Sequence, residues 1–125
     1  MPFVLLALLS IGAAARASGA GDAARGEAVY ARCMACHALA YDRVGPRHCG
    51  LIGRRAGSVP GFDYSPAMKR SGLTWNERTL SRFLADPPAV VPGSTMTYAG
   101  VPDPQERADL IAYLERANRS PACGH

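Results

Sequence analysis

Lysine is almost missing from this chain: of its 14 basic residues only Lys69 is not an arginine, and nowhere do three basic residues adjoin. Nucleic-acid binding relies on a cationic stripe or run, so a formal net charge of +4 without one gives that class no support. Long apolar runs are equally scarce. The one extended stretch, residues 2–15 around Phe3 to Leu9, is shorter than the roughly 20 residues that span a bilayer as a helix. Aromatics make up only 7% of the chain, with Trp75 the sole tryptophan, so each aromatic position carries weight. No alternating pattern reads as a convincing strand, and there is no internal repeat.

What the N-terminal run does fit is the apolar segment of a secretory leader. Small residues follow it at once, and Ala15-Arg16-Ala17 and Ser18-Gly19-Ala20 both offer an Ala-x-Ala-like cleavage pattern. The start of the leader carries no Lys or Arg, only the terminal amine, so an uncleaved anchor is the alternative. The reading is a signal peptide at 1–20 and one domain at 21–125, with a short C-terminal extension at 120–125. Export places the protein in an oxidising compartment, the periplasm of a bacterium, where covalent cofactor attachment and disulfides persist. A domain of about 105 residues has a modest core and gains from a staple.

Residues 33 to 37 read Cys-Met-Ala-Cys-His. Cys-x-x-Cys-His is the attachment signature of a c-type haem: Cys33 and Cys36 form thioether bonds to one porphyrin, and the tethered His37 ligates the iron. Two other readings use the same cysteines. A plain dithiol is one, and a zinc site completed by His48 and Cys49 is the other. Neither needs the following histidine or explains the rest of the chain.

Four helices are expected. Asp22 caps a first helix through Ala35, with Ala23, Gly26, Tyr30 and Cys33 on one stripe. Glycine inside a helix costs about 1 kcal/mol against alanine, so Gly26 implies close approach of a second helix. Ser65-Pro66 opens a short helix that stops at Gly72. Thr74 with Glu77 forms a capping box for a third, carrying Leu80, Phe83 and Leu84 and ended by Pro87-Pro88. Asp103-Pro104 starts the last, which runs to about Ala117 with Leu110, Ile111, Tyr113 and Leu114 as its apolar residues. Between the helices lie segments 38–64 and 87–101, rich in Gly and Pro. Loops so long in so small a domain wrap something, and a porphyrin disc is such an object.

The sixth iron ligand has five candidates: Met34, Met68, Met96, His48 and His125. Met34 is trapped inside the attachment motif and Met68 reads as a core filler. Met96 is favoured, because its loop, 91–100, is able to carry a thioether to the opposite haem face. A thioether opposite imidazole raises the reduction potential.

Several further segments join the motif: Val44-Gly45-Pro46, Gly50-Leu51-Ile52-Gly53-Arg54, Pro60-Gly61-Phe62-Asp63-Tyr64, Leu73-Thr74-Trp75, Pro92-Gly93-Ser94-Thr95-Met96 and Glu106-Arg107-Ala108-Asp109-Leu110-Ile111-Ala112-Tyr113-Leu114. With them the chain resembles the class I cytochromes c, mitochondrial and soluble periplasmic, over about residues 21–119. The resemblance implies an all-α fold with long loops wrapped around one covalent haem c. It implies that Pro46 offers its carbonyl to His37, that Arg54, Tyr64 and Trp75 bond the inner haem propionate, and that Gly26 and Tyr30 pack on Leu110 and Tyr113. It brings the first long loop near the end of the last helix, which favours a disulfide between Cys49 and Cys123 over two free thiols or an intermolecular link through Cys123.

Two departures stand out. Phe83 occupies the place of a tyrosine that bonds the methionine sulfur in the mitochondrial proteins, and Met68 that of an asparagine. Pro88, Ala89 and Thr95 stand where lysines form the docking face, so weak salt dependence of electron transfer is expected. The implied function is a one-electron carrier in a periplasmic respiratory or photosynthetic chain, not an enzyme. It works as a monomer with transient redox protein partners and no stable membrane insertion once the leader is cleaved. The rivals are a haem catalyst or gas sensor with a labile sixth site, and a dedicated electron-accepting subunit of a periplasmic dehydrogenase.

Overall fold

In the computed structural model, residues 1–2 and 19–125 are described. The expected leader, with its apolar run and cleavage patterns, falls almost wholly outside the described residues. Among these, five α-helices are joined by long loops, and pairing of the β type is confined to one isolated antiparallel bridge between Arg55 and Thr74. No helix among them is long and apolar enough to cross a membrane.

The first helix, α1 (Ala23–Tyr30), is capped by the Asp22 carboxylate, which accepts from the Arg25 N–H at 2.8 Å. It is shorter than the expected 22–35. After Tyr30 the chain tightens into a 3₁₀ turn, Ala31–Cys33, followed by a turn through Cys36. Helix α2 (Pro66–Lys69) also ends early, although Ser65 caps it as expected by accepting from the Met68 N–H at 3.1 Å.

Helix α3 (Glu77–Ala85) corrects the expected cap. Asn76, not Thr74, is the capping residue: its Oδ1 accepts from the Thr79 N–H and its own N–H donates to the Thr79 hydroxyl, both at 2.9 Å. Thr74 instead lends its carbonyl to the Thr79 hydroxyl at 2.7 Å. A further helix lies where a stop was expected: α4 (Pro87–Val90) starts on the proline pair, because proline's fixed φ suits a first turn as well as it ends a preceding helix. The last helix, α5 (Pro104–Asn118), begins where Asp103 accepts from the N–H groups of Gln105 and Glu106.

Helix α1 crosses α5 at Gly26. A Cβ there would overlap the Asp109 carbonyl and press on the Tyr113 Cβ, so only glycine permits this approach. Val29, Tyr30, Leu110, Ile111 and Leu114 are buried around the crossing, and Leu80, Phe83 and Leu84 of α3 extend the same core. A polar lock sits at its edge. The buried Asp109 carboxylate accepts from the Asp22 N–H at 2.8 Å, Arg25 Nε at 2.9 Å and Gln105 Nε2 at 3.0 Å.

Far from the crossing, Cys49 is disulfide-bonded to Cys123, 74 residues on. Asn118 reinforces this join from both sides: its Nδ2 donates to the His48 carbonyl at 3.1 Å and its Oδ1 accepts from the Gly50 N–H at 2.8 Å. The first long loop is thereby tied to the end of α5.

Three outcomes are expected. Gly26→Ala should cost about 3 kcal/mol, the upper range for overpacking, measured by denaturant unfolding. Replacing both Cys49 and Cys123 by serine should cost up to about 4 kcal/mol in the chain-entropy account, read as a lowered melting midpoint. The Asp109 pKa drops from its ordinary 3.8 to about 2, with the Arg25 hydrogen bond as the largest cause. A depressed carboxylate stabilises the fold above its unfolded pKa and loses that contribution as pH falls from about 4 to about 2. Asp109→Asn should therefore lower the melting midpoint at neutral pH, by about 2 kcal/mol of stability, and the gap to the native protein should close in acid.

Candidate haem site

A cavity of about 580 Å³ opens among α1, α3, α5 and the two long loops. Cys33, Cys36, His37, Pro46, Arg54, Tyr64, Trp75 and Met96 all line it. Residues scattered over 64 positions of sequence thus share one wall system, and most of the rest of the lining is apolar. Its size lies within the roughly 300–1,000 Å³ of small-molecule sites.

The attachment motif reaches the cavity because the 3₁₀ turn swings it off the end of α1. The N–H groups of Cys36 and His37 both donate back to the Cys33 carbonyl, at 3.2 and 2.9 Å. Neither cysteine is disulfide-bonded; Cys36 is exposed and Cys33 half-buried. Cys49 is not available to a zinc set with them, since its sulfur is bonded to Cys123.

His37 is buried, and its Nδ1 donates to the Pro46 carbonyl at 2.8 Å. That bond sets the tautomer with Nε2 unprotonated, the state a metal requires. Gly45 backs the ring so closely that a Cβ there would overlap the imidazole. Burial lowers the His37 pKa, only partly opposed by the Pro46 bond, which favours the neutral ring that can ligate a metal.

One corner of the cavity is polar. Arg54 donates to the backbone carbonyls of Cys49 and Arg47 at 3.3 and 3.0 Å, while its buried Nε has no partner. Burial lowers the Arg54 pKa, which measures how poorly the guanidinium is solvated there. The Tyr64 hydroxyl accepts from the Val59 N–H at 3.0 Å and keeps its own proton to donate. Trp75 lies buried against Phe83, ring centroids 5.0 Å apart, and its backbone pairs with Gly53 and Arg54. An orphaned guanidinium N–H beside an apolar cavity calls for an anion, and the carboxylates of a haem suit it. The residues present therefore fit the group that the motif implies.

Met96 is half-buried in the loop after α4, its N–H donating to the Ser94 hydroxyl at 3.2 Å. Gly100, at φ +109°, closes this loop: a Cβ there would meet the Leu84 carbonyl at 2.7 Å, and the next N–H, of Val101, donates to that same oxygen. Phe83 and Met68 line the cavity without a hydroxyl or amide to offer. Met34 is exposed and outside it, and His125 is exposed at the chain end.

Two cavity residues were not marked for a role on this wall. His48 stacks on His37, ring centroids 4.2 Å apart and planes 19° from parallel, so it belongs to the His37 wall. Tyr30, read above as core, meets His48 Nδ1 through its hydroxyl at 2.9 Å. Burial, with added repulsion from His37 and Arg54, lowers the His48 pKa to about 3. Their pairing joins residues 18 apart across a loop, and no local spacing signals it.

The family model for cytochrome c matches residues 23–118. Cytochrome c2 of Rhodomicrobium vannielii is 50% identical over 103 residues, covering 80% of this chain and 82% of its own. Cytochrome c2 of Blastochloris viridis is 42% identical over 118 residues, with 92% and 93% covered. Among solved structures, cytochrome cH from Methylobacterium extorquens superposes with a TM-score of 0.75 at 45% identity, covering 77% of this chain and 99% of that one. The chain thus belongs to the cytochrome c family, with covalent haem c as its cofactor.

Proposed function

We propose that this protein is an exported one-electron carrier whose haem iron is held by His37 and Met96 on its two faces. The observation that carries the reading is that a neutral, Pro46-bonded His37 and the Met96 thioether line one cavity with Cys33 and Cys36. The haem supplies the ferric/ferrous couple. The chain's part is to keep both axial positions filled by its own side chains, exclude water from the metal and neutralise one propionate. Arg54, Tyr64 and Trp75 are the residues for that last task.

Cleavage of the 1–20 leader, a periplasmic location and a monomer with transient redox partners complete the reading. The rim of the cavity supports a docking mode with little dependence on charge. Ala35, Val44, Thr95, Thr97 and Ala99 line it, with Arg32 the one charged side chain among them and paired to Glu106 at 2.7 Å, and Val44 is 77% exposed. Small apolar contacts of this kind suit short-lived electron-transfer encounters.

The test is the visible spectrum of the matured protein, oxidised and reduced, with and without carbon monoxide, and of Met96→Ala. The expected outcome is a sulfur-to-iron charge-transfer band that vanishes in the variant, with no carbon monoxide response in the native protein. Ready carbon monoxide binding by the native protein would replace the carrier by a catalyst or sensor with a labile sixth site.

A further inference from the structure

A single hydrogen bond to Nδ1 fixes one point of an imidazole but leaves the ring free to tilt about it. His37 has such a bond, to Pro46, and also a second constraint that the attachment motif does not contain. The His48 ring lies face to face against it at 4.2 Å, nearly parallel.

His48 is itself held on every side. The Tyr30 hydroxyl and His48 Nδ1 share a hydrogen bond at 2.9 Å. Tyr30 in turn packs on Tyr113 of α5, ring centroids 5.0 Å apart. The His48 N–H donates to the Ala38 carbonyl at 3.2 Å, its carbonyl accepts from Asn118, and the next residue is the disulfide cysteine Cys49. So many restraints on one loop imidazole are more than filling a gap requires.

We propose that His48 is a positioning residue for the haem ligand: its stacked ring, aimed by Tyr30, sets the plane of the His37 imidazole and stabilises the positive charge which that imidazole shares with ferric iron. The inference rests on His37 being an iron ligand, as in the reading above. The stabilisation is the attraction of a cation for an aromatic face, and it acts more strongly on the ferric form. It therefore lowers the reduction potential. Pro46 and His48 divide the work, one fixing the ring's rotation through an edge and the other its tilt through a face.

The experiment compares His48→Leu, Tyr30→Phe, the Tyr30→Phe/His48→Leu pair and the Tyr30→Phe/His48→Phe pair with the native haem protein, by redox titration and by the proton NMR shifts of the ferric haem methyls, which report the plane of the axial imidazole. His48→Leu should raise the ferrous-to-ferric ratio at fixed poise about threefold, or roughly 30 mV at 59 mV per tenfold, and should change the spread of the methyl shifts. Tyr30→Phe should move both readouts in the same direction by less, and adding it to His48→Leu should change nothing more. The aromatic pair should return values near native. If His48→Leu keeps the native potential and methyl pattern, whatever happens to its melting midpoint, His48 is packing alone and the proposal falls. Native ferric protein without a histidine-ligated low-spin signature would instead remove the reading on which it rests.

Discussion

The absence of a side chain at Gly26 is the constraint from which the site is built. It allows the backbone of α1 to rest on the Asp109 carbonyl of α5, closer than any other residue allows. With α1 pinned there, its end is fixed, and the turn that follows delivers Cys33, Cys36 and His37 to the cavity as a rigid unit. The lock of Asp109 on Asp22 and Arg25 works on the same contact from the other end of α1. A motif at a helix end is only as well placed as the helix that carries it, so the placement of the cavity's cysteines and histidine begins at a helix crossing.

The loops obey a different rule. Segments 38–64 and 91–103 form almost no regular structure and have little core of their own, yet they supply Pro46, Arg54, Tyr64, Trp75's backbone partners and Met96. They are held by scattered ties: the single bridge at Arg55 and Thr74, the Val101 bond to α3, and the Cys49 disulfide with its Asn118 bracket. Between those ties their inner faces border the cavity. A bound porphyrin is the hydrophobic body such faces lack, which makes the cofactor part of the core as well as its cargo.

What was legible in the sequence was local. The five-residue motif, the proline and aspartate caps of α2 and α5, and the apolar stripes of α3 and α5 are patterns within a few residues, and their physics is set by near neighbours. The cap of α3 was misjudged by two residues because Thr74, Asn76 and Thr79 are all good capping residues, and only the fold decides among them. Helix α4 was missed because a Pro-Pro pair both ends one helix and begins another. The pairings of Asp109 with Asp22 and Arg25, and of His48 with Tyr30, were silent for a deeper reason. Their members lie 18 to 87 residues apart, and a buried carboxylate reads from sequence like any surface one.

The electrostatics of the His37 wall close the argument. Three basic side chains, His37, His48 and Arg54, converge there in poor contact with water, and burial, seconded by Arg54, lowers the pKa of both histidines. A single wall of this kind cannot hold three charges. It keeps one, on the guanidinium, and the two imidazoles remain neutral, which is what leaves a lone pair on His37 for a metal. The remaining charge still needs an anion beside the free Arg54 Nε. A cofactor that brings its own carboxylate would satisfy that need.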